Sequence, residues 1–145
     1  LFFFFLMAEA FKDQNIEVVV GPMTGGILLA HETGKCLGTR AIFTERENGA
    51  MTFRRGFELK HGERVLIVED IVTTGGSVVE VMEVVRAAGG EIVGVGLMVD
   101  RSGGQVDFGV PTHPLLTLDI PSYEVAECPQ CQQGMEITKR GSRKI

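Results

Sequence analysis

Two adjacent acids, Glu69 and Asp70, end an apolar run, Val65-Leu66-Ile67-Val68, and precede the stretch Thr73-Thr74-Gly75-Gly76-Ser77. The spacing predicts a buried strand, a short turn and a helix start. The first N–H groups of a helix have no internal partners and carry partial positive charge. Glycines let that backbone approach a ligand closely, and hydroxyls add donors, so the turn suits a phosphate. The acids beside it can accept hydrogen bonds from a diol. Acids and turn together describe a sugar phosphate site. The same residues also fit a Ser/Thr-capped helix after a strand with solvated acids. No Gly-Lys-Ser/Thr is present in the turn and no Gly-x-Gly-x-x-Gly, so neither a Walker A loop nor a dinucleotide fingerprint applies.

Three further stretches carry suitable side chains. Gly21-Pro22-Met23-Thr24-Gly25-Gly26 is a second small-residue loop that follows a strand and opens a helix, though such a run is also an ordinary turn. Thr44 to Gly56 holds Arg46, Arg54 and Arg55, and reads either as a mobile cationic loop between strands or as an exposed charged hairpin. Val99-Asp100-Arg101-Ser102-Gly103-Gly104 places an Asp-Arg pair at a strand end, where a guanidinium could grip a planar carboxylate in a bidentate fork or make a surface ion pair.

The elements that must position these residues alternate. Helices are expected near residues 3–14, from Gly26 to about Leu37 and from Gly76 to Ala88. Strands are expected at Ile16–Val20, Arg40–Thr44, Arg64–Val68, Ile92–Val99 and Leu115–Ile120, with a hairpin arm at Phe53–Leu59. This order predicts an α/β fold with a mostly parallel five-stranded sheet flanked by helices. The near-continuous apolar strands agree, because both faces of such a sheet are buried. Ligands of open sheets collect beyond the carboxyl ends of the strands, where Gly21, Arg46, Glu69 and Arg101 fall.

The chain of 145 residues suits one domain, residues 1–145, with a genuine core. Its net charge of -5 argues against broad attraction to nucleic acid. Three cysteines, Cys36, Cys128 and Cys131, are too few for a disulfide scaffold and favour a reducing, cytoplasmic setting. Leu1-Phe2-Phe3-Phe4-Phe5-Leu6-Met7 is too short to span a membrane, which takes roughly 20 apolar residues. No basic segment precedes it, so a core helix is expected rather than a signal peptide. Cys128-Pro129-Gln130-Cys131 supplies only two of the four ligands of a structural zinc and is read as a structural turn, with a metal or redox module as the weaker alternative.

The thirteen positions from Val65 to Ser77 resemble the phosphoribosyl-pyrophosphate (PRPP) motif of the type I phosphoribosyltransferases: an apolar strand, two acids and a Thr/Gly/Ser loop. The resemblance runs from about Ile16 to Arg143. It implies the fold of that family, with a flexible loop hairpin. Glu69 and Asp70 would meet the ribose hydroxyls, and Thr73, Thr74, Gly75, Gly76 and Ser77 would hold the 5-phosphate. Thr24, Gly25 and Gly26 match a loop that binds pyrophosphate, often across an unusual peptide bond. Arg46, Arg54 and Arg55 would be the loop cations that steady the leaving pyrophosphate alongside Glu69 and Asp70, although the loop lacks the Lys-rich, His-bearing pattern of better-known orotate enzymes.

Asp100-Arg101 resembles the orotate-specific branch, in which Arg101, with Thr73, would meet the base. The tail from Glu127 to Gly134, followed by Lys139-Arg140-Gly141-Ser142-Arg143, resembles the ending of a bacterial and archaeal subgroup of that branch. The implied reaction joins orotate to PRPP, giving orotidine 5-phosphate and pyrophosphate for pyrimidine synthesis. Mg2+ would be held mainly by PRPP and water, with no dedicated protein ligands, and the enzyme would be a cytoplasmic homodimer that binds neither nucleic acid nor membrane. An N-terminal hood over the base site is also implied, and a chain starting at Leu1 is read as lacking it. A purine or xanthine phosphoribosyltransferase, or a non-catalytic PRPP-sensing regulator, would share the motif.

Overall fold

The structure is a computed structural model that describes residues 2–121 and 123–135. The basic end of the tail, with Lys139, Arg140 and Arg143, lies outside them. The elements in chain order are α1 (Phe2–Phe11), a 3-10 turn (Lys12–Gln14), β1 (Val18–Pro22), α2 (Gly25–Leu37), β2 (Arg40–Glu47), β3 (Ala50–Phe53), β4 (Arg64–Val72), α3 (Gly76–Ala87), β5 (Glu91–Asp100), β6 (Thr112–Thr117) and α4 (Pro129–Gln132).

The sheet has six strands in the order β3-β2-β1-β4-β5-β6. Five of them, β2-β1-β4-β5-β6, run parallel, and β3 pairs antiparallel with β2 at one edge. The expected five parallel strands are therefore present, and the sixth is the hairpin arm. That arm is Ala50–Phe53, not the Phe53–Leu59 expected, and residues 45–47 belong to β2 rather than to a loop. Only the turn at Asn48 and Gly49 interrupts the pairing, with both residues at positive φ. The last strand lies three residues earlier than expected. Pro114 sits inside it, opposite Leu97, which an edge strand tolerates because its outer side needs no donor.

Alternating side chains of the central strands feed two cores. Val18, Val20, Val65 and Ile67 pack on one face with Val78, Val81, Met82 and Val85 of α3. Val19, Leu66 and Val68 pack on the other with Leu29 of α2 and Met7 and Phe11 of α1. Each fully buried Val or Leu contributes about 1.5–3 kcal/mol by leaving water, and the interleaving sets the register of the strand ends that carry the site. Helix α1 lies directly on β5, where a Cβ at Gly94 would overlap the Phe11 ring and one at Gly96 would overlap Met7 Sδ. The N-terminal segment is thus a helix packed on one face only. Phe2, Phe3 and Phe5 stay exposed, Phe2 to 68%. No helix among the described residues is long and apolar enough to cross a membrane.

Candidate active site

Strand β4 ends at Val72 and α3 begins at Gly76, so residues 73–75 are the connection between them. Gly75 caps α3 with φ of 79°, a left-handed conformation that glycine adopts without steric cost. The space at Gly75 is also closed, since a Cβ there would meet Val106 Cγ1 at 2.8 Å and Phe108 Cε1 at 2.9 Å. A cavity of about 240 Å³ opens over this connection, lined by Glu69 and by every residue from Ile71 to Val78. Its floor is thus the first turn of α3, whose N–H groups have no acceptors within the helix. All five residues expected to hold the 5-phosphate line one concavity.

The two acids take different directions. Glu69 is 7% exposed and faces the cavity. Asp70, half-buried, turns to the other loop: a Cβ at Gly25 would overlap Asp70 Oδ2. The Ile71 N–H donates to Asp70 Oδ1 at 2.7 Å and the Asp70 N–H donates to Glu69 Oε1 at 3.1 Å, so both carboxylates are held in the last four residues of β4, which runs to Val72 and not to the Val68 expected.

The second loop is equally close-packed. A Cβ at Gly21 would overlap Gly26 O, and one at Gly26 would meet Pro22 Cδ at 2.7 Å. The Met23 N–H donates to Thr44 O at 2.7 Å, tying the loop to β2. The Met23–Thr24 peptide is cis, an unusual bond of the kind the resemblance implies for this loop. Gly25 of this loop therefore sits against Asp70, while the neighbouring Glu69 lines the cavity.

Arg101 follows β5 directly, and its N–H donates to Val72 O at 2.8 Å, one residue before Thr73. Its Nε is buried without a hydrogen-bond partner among the described residues. The Arg101 backbone and the Thr73 end of the cavity are thus neighbours across adjacent strands. Asp100 is 4% exposed. Burial works to raise its carboxyl, but hydrogen bonds from the Ser102 hydroxyl, the Ser102 N–H and the Gly104 N–H outweigh that and hold it below the ordinary carboxylate value.

The three cations of the hairpin do not form one group. Arg46 reaches α3, with Nη2 2.6 Å from Glu80 Oε2, and its Nη1 donates to Gly49 O at 3.1 Å. Arg55 makes a two-pronged contact with Glu45, at 3.1 and 3.2 Å, and lies over the Phe43 ring. Arg54 lies 3.3 Å from Glu47 and 3.8 Å from Glu45. Only Arg46 is drawn toward the helix that carries the cradle. The partners of Arg54 and Arg55 alternate with Arg46 along β2, a strand pattern that a loop reading of residues 45–52 hides.

Among the described residues, no cluster of three or more His, Cys, Asp or Glu side chains could hold a metal ion. Cys128 and Cys131 flank the first residues of α4. The Cys131 N–H and thiol donate to the Cys128 sulfur and hold the Cys128 thiol below its ordinary value, while Cys131 is raised by the thiol hydrogen bond it donates.

A sequence profile described as phosphoribosyl transferase domain matches residues 5–108. An orotate phosphoribosyltransferase of Caldanaerobacter subterraneus is 56% identical over 139 residues, covering 96% of this chain and 73% of that protein. The crystal structure of Mycobacterium tuberculosis orotate phosphoribosyltransferase in complex with inorganic phosphate superposes with a TM-score of 0.66 at 30% identity, over 80% of this chain and 68% of the other. The adenine phosphoribosyltransferase of Rhodothermus marinus gives 0.68 at 24% identity, over 81% and 78%, and shares the fold. With more than half of the residues inside the family profile and over half identical to a relative, the chain belongs to the orotate phosphoribosyltransferase family.

Proposed function

We propose that this protein transfers the 5-phosphoribosyl group from PRPP to orotate, giving orotidine 5-phosphate and pyrophosphate in pyrimidine nucleotide synthesis. The observation that carries the reading is the placement of the two acids between two small-residue loops. One loop suits a 5-phosphate, the other a pyrophosphate, and the two carboxylates, read as acceptors for the ribose diol, lie between them. The orotate-named relatives, and Arg101 at a strand end whose backbone neighbours the Thr73 connection, support orotate as the acceptor.

In this reading the residues 73–77 hold the 5-phosphate through backbone N–H groups and hydroxyls. Glu69 and Asp70 accept hydrogen bonds from the ribose hydroxyls and fix the sugar. Thr24, Gly25 and Gly26 receive the pyrophosphate. Arg101, with Thr73, orients the orotate ring. The bond from the ribose carbon to pyrophosphate oxygen breaks as the ring nitrogen bonds to that carbon, so the sugar is cation-like in between. No protein nucleophile is required, because positioning and stabilisation of the leaving charge lower the barrier. Arg46, the loop cation that reaches α3, is assigned to stabilise that charge.

Mg2+ fits this donor set. Glu69 and Asp70 offer hard oxygens at the strand tip, as suits an ion that arrives with a diphosphate and keeps much of its water. When bound, it would neutralise charge on the pyrophosphate. We also place the enzyme in the cytoplasm as a homodimer. The exposed Phe2, Phe5 and Leu28 on the packed helices α1 and α2 offer apolar surface for a second copy.

Pyrophosphate release from PRPP tests the reading. Release is expected with orotate and Mg2+, and not with hypoxanthine or without a base. Equal release with hypoxanthine would sink the orotate assignment.

A further inference from the structure

Past the end of β5 the chain does not run free. Asp100 Oδ1 accepts the Ser102 N–H at 2.7 Å and the Ser102 hydroxyl at 2.6 Å, and Oδ2 accepts the Gly104 N–H at 3.1 Å. The Ser102 Oγ in turn accepts the N–H groups of Gln105 at 3.0 Å and Val106 at 3.2 Å. One buried carboxylate and one hydroxyl therefore gather four backbone donors between residues 102 and 106. Val106 ends this segment against Gly75, the cap of the phosphate cradle. Arg101 begins it, its backbone bonded to Val72. The knot thus spans from the base-side cation to the wall of the cradle, and a charged acceptor in so buried a place strengthens each bond.

We propose that Asp100 and Ser102 are positioning residues for the acceptor base: their hydrogen-bonded knot fixes the segment 101–106 and with it the direction of Arg101. The proposal rests on the reading of Arg101 as the residue that meets orotate. Neither side chain touches substrate. The knot acts through Arg101, so its loss should weaken orotate recognition and spare PRPP, whose diol acids and 5-phosphate loop lie on β4 and α3.

Steady-state kinetics of Ser102→Ala, Ser102→Thr and Asp100→Asn, together with amide exchange at Gln105 and Val106, test it. Ser102→Ala is expected to raise KM for orotate about tenfold and to leave KM for PRPP within about twofold, as loss of a hydroxyl bonded to a charged group would. Ser102→Thr keeps the hydroxyl and should restore orotate KM, and near-isosteric Asp100→Asn should shift it in the same direction as Ser102→Ala. An unchanged orotate KM in both Ser102→Ala and Asp100→Asn, or an equal rise in both Michaelis constants, would overturn the proposal. If wild-type protein did not use orotate at all, the substrate reading would fail by itself. The exchange data would still decide the knot: faster exchange at Gln105 and Val106 in Ser102→Ala but not Ser102→Thr supports it, and unchanged exchange in both refutes it.

Discussion

The carboxylate of Asp70 lies directly against the α-carbon of Gly25, so that no side chain of any size fits between the β4 tip and the start of α2. Two loops far apart in sequence meet at this contact, one suited to a sugar phosphate and the other to a pyrophosphate. It yields a paired prediction. Asp70→Asn should lower kcat/KM by about a hundredfold, because the charge proposed to face the ribose is removed. Gly25→Ala should do comparable damage, about a hundredfold, by pushing the same carboxylate out of place. Both variants should keep the wild-type circular dichroism spectrum. Full turnover in either would contradict the assigned role of Asp70.

Arg101 has a buried Nε with no hydrogen-bond partner among the described residues. A donor left in that state costs free energy until a ligand satisfies it. Arg101→Ala should therefore raise KM for orotate by about thirtyfold, with a much smaller effect on PRPP, since a charge-assisted pair is lost. Equal loss of affinity for both substrates would place Arg101 outside base recognition.

The hairpin arginines separate by their partners. Arg54 and Arg55 are matched by Glu45 and Glu47 on β2, whereas Arg46 reaches Glu80 on the cradle helix. Arg46→Ala is expected to lower kcat about tenfold, and more than Arg54→Ala or Arg55→Ala, if it stabilises the leaving pyrophosphate. Single-turnover rates of the three variants would rank them. A larger loss at Arg55 would move the role there.

Acid stability follows from two buried carboxylates. Hydrogen bonding from Arg40 holds Glu63 below its ordinary value against burial, with help from the Lys60 N–H, and Asp100 is likewise held low. Each folded-state pKa lies below that of the unfolded chain, so the unfolded state binds protons first. The stability they contribute is complete above about pH 5 and is lost as pH falls through the depressed values. Denaturant midpoints should drop steeply below about pH 4, and Glu63→Gln should flatten that drop while costing about 2 kcal/mol at neutral pH. A midpoint that does not change with pH in the wild type would contradict this.

Much of this arrangement was legible in the residues. The apolar runs 65–68 and 92–99 had to be buried on both faces, which fixed a parallel sheet, and the β4 acids with the Thr/Gly/Ser turn pointed to its carboxyl edge, where a cavity lies, as the candidate site. Less legible were features that depend on pairing and burial rather than on residue type. Residues 50–53 form a run too short to announce a strand, so only pairing with β2 identifies them as one. The partners of Arg46, Arg54 and Arg55 likewise emerge only once that register exists. Asp100 reads as half of an Asp-Arg pair at a strand end, because nothing local says that the carboxylate is buried and turns to Ser102 and backbone donors. The Asp-x-Ser-Gly-Gly spacing was the available signal, since short side-chain acceptors commonly gather backbone donors in such turns.

The most direct measurement is a crystal structure with PRPP and Mg2+ bound. The 5-phosphate is expected within hydrogen-bond distance of the N–H groups of residues 74–77, with the ribose hydroxyls on Glu69 and Asp70 and the pyrophosphate beside Gly25. A complex in which the ribosyl donor sits elsewhere and the cavity above Gly75 stays empty would contradict the proposed site.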